Sequence, residues 1–178
     1  MISKNAFRSR LGSLVGSHLL ATIAFAMLTL VSPQASAKDL SNRLGIGYKN
    51  QFGANIPGIA LQYYPGPQLA VSAVVGVDTE EDNSKFGAMV KLHRVIFEEQ
   101  NLNFYLGAGA GLLSNEVNGV NQSGFELLAY GGVEFFFAGL ENLGFSMEFG
   151  PAVTSLSSNV RFRTFGDSPL RAGITFYF

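Results

Sequence analysis

The feature that most constrains this chain is a period of two. From residue 42 to residue 178, apolar side chains alternate with glycine or polar ones in eight runs of nine to fourteen residues. Such alternation marks strands whose two faces meet different surroundings. It predicts strands over 42–50, 56–64, 69–78, 85–96, 102–113, 124–137, 143–154 and 169–178. The connections differ in kind. Pro65-Gly66-Pro67-Gln68, Phe97–Asn101 and Ala138–Asn142 are short, whereas Gln51–Asn55, Thr79–Ser84, Ser114–Ser123 and Ser155–Ser168 are mostly longer and more polar. With the strands running up and down in turn, the short connections fall together at one end. No tandem repeat or linker interrupts residues 38–178, so they are read as one domain.

The two faces carry opposite chemistry. Along 124–137, Phe125, Leu127, Ala129, Val133, Phe135 and Phe137 oppose Glu126, Tyr130 and Glu134. Leu44, Ile46 and Tyr48 oppose Arg43 and Lys49, and Phe86, Ala88, Val90 and Leu92 oppose Lys85, Lys91 and His93. Glu148 and Arg171 likewise stand across from Met147, Phe149, Ala172 and Ile174 on the neighbouring face. A soluble barrel turns its apolar face inward, and a membrane barrel turns it outward. Periodicity does not choose between them.

Composition removes several classes. There is no cysteine, hence no disulfide, no thiolate ligand or nucleophile, and no lipid-bearing cysteine. Beyond residue 37, nine Lys and Arg face thirteen Asp and Glu, which is wrong for nucleic-acid binding. Residues 1–37 have the build of a secretory signal peptide: Lys4, Arg8 and Arg10, then the apolar run Leu19–Val31, then Ala35-Ser36-Ala37. Cleavage is expected after Ala37. The apolar run falls short of the roughly 20 residues of a helical span, and no later run is longer. If the mature chain resides in a membrane, it does so as a closed barrel.

Three features favour the membrane. The apolar face is rich in Phe. The opposite face is rich in glycine, with Gly107, Gly109 and Gly111 in one run, which suits a narrow interior. Aromatics flank the short turns (Tyr63 and Tyr64, Phe104 and Tyr105, Phe135 to Phe137, Phe145, and Phe176 to Phe178), as in an interfacial girdle. The terminal string Arg171-Ala172-Gly173-Ile174-Thr175-Phe176-Tyr177-Phe178 resembles the C-terminal insertion signal of outer-membrane barrels, with Arg171, Gly173, Phe176 and Phe178 at its signal positions. Taken whole, the chain resembles the small eight-stranded outer-membrane β-barrels of the OmpA/OmpX architectural type. The resemblance implies an all-β, closed, antiparallel up-and-down transmembrane barrel in a bacterial outer membrane. It also implies outer-membrane lipid and lipopolysaccharide as surroundings, and the barrel-assembly machinery as a partner during insertion.

An eight-stranded barrel has an interior just wide enough to be filled by side chains. The charges Arg43, Lys49, Lys85, Lys91, Glu126, Glu134, Glu148 and Arg171 are therefore expected to face the lumen and pair there, because a buried unpaired charge is costly. The leading functional reading is a structural or surface-interaction protein with a plugged lumen. A narrow channel using those charges is the alternative, then a lipid A-modifying enzyme, and at the level of fold a soluble periplasmic barrel. Catalysis has little support: His93 is the one histidine beyond the signal, near a short turn and without a His-x-Ser pair. No cofactor is expected. Asp78, Glu80, Glu81 and Asp82 form the one acidic cluster with metal-like chemistry, read first as a solvated loop. Arg161, Phe162 and Arg163 alternate within 155–168, either as a projecting hairpin or as an extension of strands seven and eight. Two details strain the pattern. Arg94 falls on the apolar face, and Pro151 interrupts the seventh strand, where a bulge or the end of the embedded part is expected.

Overall fold

The computed structural model describes residues 39–50, 52, 56–157, 159–164 and 170–178. The expected signal peptide lies outside the described residues. Ten strands follow in order: β1 (Leu44–Asn50), β2 (Pro57–Gly66), β3 (Leu69–Asp78), β4 (Lys85–Glu99), β5 (Leu102–Val117), β6 (Val120–Phe136), β7 (Leu143–Phe149), β8 (Ala152–Leu156), β9 (Asn159–Arg163) and β10 (Arg171–Tyr177). Consecutive strands pair antiparallel from β1 through β7, β8 pairs with β6 and β9, and β10 pairs with β7 and with β1, the latter from Gly45↔Tyr177 to Lys49↔Gly173. That seam and the β5–β6 pairing close the sheet into a barrel of eight staves.

The seventh stave is β7 and β8 in succession. Both pair with β6, and the break between them falls at Gly150-Pro151. Proline has no N–H to give the ladder. Gly150 passes so close to β6 that a Cβ there would lie 2.2 Å from the Ala129 carbonyl oxygen. The stretch expected as one strand over 143–154 is thus two, re-joined by the Ala129 N–H donating to the Pro151 carbonyl at 3.1 Å. Beyond the break, β8 and β9 form a hairpin from Ala152↔Arg163 to Leu156↔Asn159, so this part of 155–168 extends the sheet; 165–169 lie outside the described residues.

One expectation needs correcting. Ser114–Ser123 is not a loop: β5 and β6 continue through it in register to Val117↔Val120. The turn is Asn118-Gly119 alone, with φ of 51° and 76°, the geometry of a type I′ hairpin. The β3–β4 turn leans on this tip, where the Gly119 N–H donates to the Asp82 carbonyl at 3.2 Å and the Ser84 hydroxyl donates to Glu116 at 2.6 Å.

Burial alternates along every stave, and its sense is inverted relative to a soluble protein. Ile46, Ile59, Leu61, Val75, Val90, Leu106, Leu112, Leu127, Met147 and Ile174 are exposed. Lys49, Lys91, Glu126, Glu134, Glu148 and Arg171 are buried.

Candidate functional site

The barrel interior holds the densest chemistry of the molecule, and glycine makes room for it. Three inward tyrosines each face a glycine directly across the ladder: Tyr177 and Gly45, Tyr105 and Gly132, Tyr130 and Gly107. A Cβ on Gly45, Gly132 or Gly107 would approach the facing ring to 2.8, 2.6 or 2.5 Å. Lys91 and Lys49 use the same device, lying over Gly109 and Gly173. Narrow barrels fill their bore by setting large residues against small ones.

These side chains form two linked groups toward the short-turn end. In the first, Glu134 accepts from the Tyr177 hydroxyl at 2.6 Å and the Tyr64 hydroxyl at 2.9 Å. Gln62 donates to the Tyr177 oxygen at 2.8 Å and accepts from the Lys49 ammonium. In the second, Lys91 is ion-paired with Glu148, which also accepts from the Tyr105 hydroxyl at 3.2 Å. The Lys91 ammonium sits 4.0 Å above the centre of the Tyr130 ring, and Arg171 stands across the ladder from Glu148. His93 joins the groups: its ring stacks on Tyr105 at 4.2 Å between centres, with Nε2 3.3 Å from the Tyr64 hydroxyl. A third group lies beyond the Gly150 break. Arg163 donates to Thr154 at 2.6 Å and to Glu126 at 3.4 Å.

Apolar residues lie toward both ends of the bore. Leu40, Val95 and Phe136 are buried at the short-turn end. At the other, Phe52 lies over the facing pair Gly76 and Gly87, where a Cβ would meet its ring at 3.2 and 2.8 Å. Ile56, Val74, Met89 and Leu113 are buried on the same inward side.

Of the eight charges named from the sequence, six lie fully inside and two do not. Arg43 and Lys85 are half-buried at opposite rims, and among the described residues neither pairs with an acid. The reason is position: Arg43 precedes β1, and Lys85 opens β4 opposite Asp78. Arg163 is not among the eight, because the sequence leaves 155–168 open between a projecting hairpin and a strand extension, with no face assigned. Four of the eleven aromatics of the expected girdle turn inward: Tyr64, Tyr105, Phe136 and Tyr177 are buried, leaving Tyr63, Phe104, Phe135, Phe137, Phe145, Phe176 and Phe178 outside. Neighbouring strand residues face opposite ways, so a Tyr-Tyr or Phe-Tyr pair never shares a face. Among the described residues no three acidic or histidine side chains converge as metal ligands, and Asp78, Glu80, Glu81 and Asp82 stay dispersed. Arg94 stays outward and exposed, donating to Gln68 at 3.3 Å, while the β4–β5 register shifts only after Val95.

The class is therefore a closed eight-stranded antiparallel β-barrel, packed inside with hydrogen-bonded charge and apolar outside. The crystal structure of the N-terminal β-barrel domain of OprF from Pseudomonas aeruginosa is similar, with a TM-score of 0.59 at 13% identity, over 78% of this chain and 98% of that one. No protein-family model matches the sequence, and no curated protein does.

Proposed function

We propose that this protein is an integral barrel of a bacterial outer membrane, with a sealed lumen and a structural or surface-interaction role carried by its long-loop end. The observation behind this reading is the inverted burial. Ile59 is 67% exposed and Leu112 65%, whereas Glu126 and Glu148 are 0%. In water that arrangement leaves a continuous apolar belt unsatisfied, far larger than the patches soluble monomers tolerate. In hydrocarbon it is the stable one, because closure leaves no strand edge without partners. The outward cluster Phe135, Phe137 and Phe145, with ring centres 5.3 to 5.5 Å apart, fits the interface at the short-turn end. The likeness to the OprF barrel domain supports the same architecture.

The lumen groups serve as a plug. What supports this is that they are bonded to one another and that apolar side chains lie toward both ends. The experiment is fractionation followed by gels of unboiled and boiled samples. A band in the outer-membrane fraction that shifts on boiling is expected. A periplasmic protein with no shift would overturn the reading.

A further inference from the structure

Arg94 is the one charged side chain among the described strand residues that points outward within the apolar belt. Its partner is Gln68, and among the described residues it forms no ion pair. A guanidinium held by one neutral amide keeps most of its donors for an anion. Above it, on the same face of β4, come Leu92, Val90 and Ala88. There the outer surface has a shallow hollow of about 560 Å³, lined by Ala73, Ala88, Val90, Ala110, Leu112 and Leu127. Cross-strand pairing makes it: Ala73↔Val90↔Ala110 and Val75↔Ala88↔Leu112 set small residues beside large ones over β3, β4 and β5.

We infer that Arg94 and this hollow form a binding site for one glycerophospholipid, with its phosphate on Arg94 and an acyl chain in the hollow. The inference rests on the membrane reading above. The spacing fits. From Arg94 to Ala88 the strand advances roughly 20 Å. At the tilt of a membrane barrel, that is about 15 Å along the bilayer normal, half of a hydrocarbon core of about 30 Å. A chain whose head is fixed at the short-turn interface thus ends in the hollow. Charge selects the lipid: Arg94 answers a phosphate, and the belt around it offers an acyl chain only apolar contact.

The test uses the full chain, extracted and purified in maltoside detergent, with dioleoyl phosphatidylglycerol added and retained lipid counted by native mass spectrometry. One lipid retained per barrel is expected. Arg94→Gln and Ala88→Phe should each lower retention about tenfold, and dioleoylglycerol, which lacks the phosphate, should not be retained. Ala172→Phe, outward on β10, should leave retention unchanged. Equal retention by wild type and Arg94→Gln, or an equal loss with Ala172→Phe, would overturn the site. The boiled and unboiled bands of the same samples separate the two readings. Shifting bands with unaltered retention sink the lipid site alone, whereas a wild type that does not shift sinks the membrane barrel beneath it.

Discussion

At the scale of single residues, the interior is a set of sockets. Gly107 is one, since a Cβ there would sit 2.5 Å from both the Leu92 carbonyl and the Tyr130 ring. Gly107→Ala is expected to destabilise the barrel by about 1–3 kcal/mol through overpacking, read as a lower urea midpoint for the barrel folded in lipid vesicles. The Lys91–Glu148 pair makes a sharper case. Lys91→Met leaves a carboxylate buried without its counter-ion and is expected to cost about 3–5 kcal/mol. Lys91→Met combined with Glu148→Leu should recover much of that loss, short of what the orphaned Tyr105 hydroxyl costs, and the same urea midpoints measure it. Recovery by the double change would show that the pair acts as matched filling. Much of this was legible, because strict alternation sorts Lys49, Lys91, Glu126, Glu134 and Glu148 onto one face. The tyrosines were harder to read. In Tyr63-Tyr64, Phe104-Tyr105 and Phe176-Tyr177-Phe178 they stand beside other aromatics, and composition hides what parity reveals.

At the scale of elements, β5 and β6 run well past the apolar belt and turn on two residues. An epitope inserted between Asn118 and Gly119 is expected to bind antibody on intact cells. The same epitope at Gly139, in the β6–β7 turn, should bind only after permeabilisation. Reversed labelling would place the short turns outside. The strands over 69–78 and 85–96 were easy to read from the sequence, since polar turns bracket them clearly. The hairpin tip was not. In the proposed membrane setting both faces of the ribbon beyond the apolar belt meet water, so Ser114, Asn115, Gln122 and Ser123 lose the alternation by which a strand is recognised. Asn118-Gly119 was the surviving signal, because only such residues fit a left-handed turn comfortably. At β9 the alternation of Arg161, Phe162 and Arg163 was visible, but it left a projecting hairpin and a strand extension equally open and so did not say that Arg163 faces the lumen.

At the scale of the whole molecule, the proposed plug implies an electrically silent barrel. In planar bilayers the purified protein is expected to give no stepwise conductance. Steps that vanish with Lys91→Met would instead mark an open, charge-lined path. Closure was implied by eight alternating runs, and the seam between β1 and β10 follows from up-and-down order. The apolar seals at the ends were not foreseeable in the same way. Leu40 lies before β1 and Phe52 in a connection, where no period exists to say which way a side chain points.

Tyr177 gives closure an all-or-none quality. Its oxygen accepts a hydrogen bond from Gln62 on β2, and its hydroxyl donates one to Glu134 on β6, two staves that never pair in the sheet. Glu134 reaches Tyr177 across β7, whereas Gln62 gains this partner only when β10 meets β1. Until then the Gln62 amide and the Tyr177 oxygen stand on two open edges, each without the other. The seam thus carries its own latch: this side-chain bond exists only when the ring is whole.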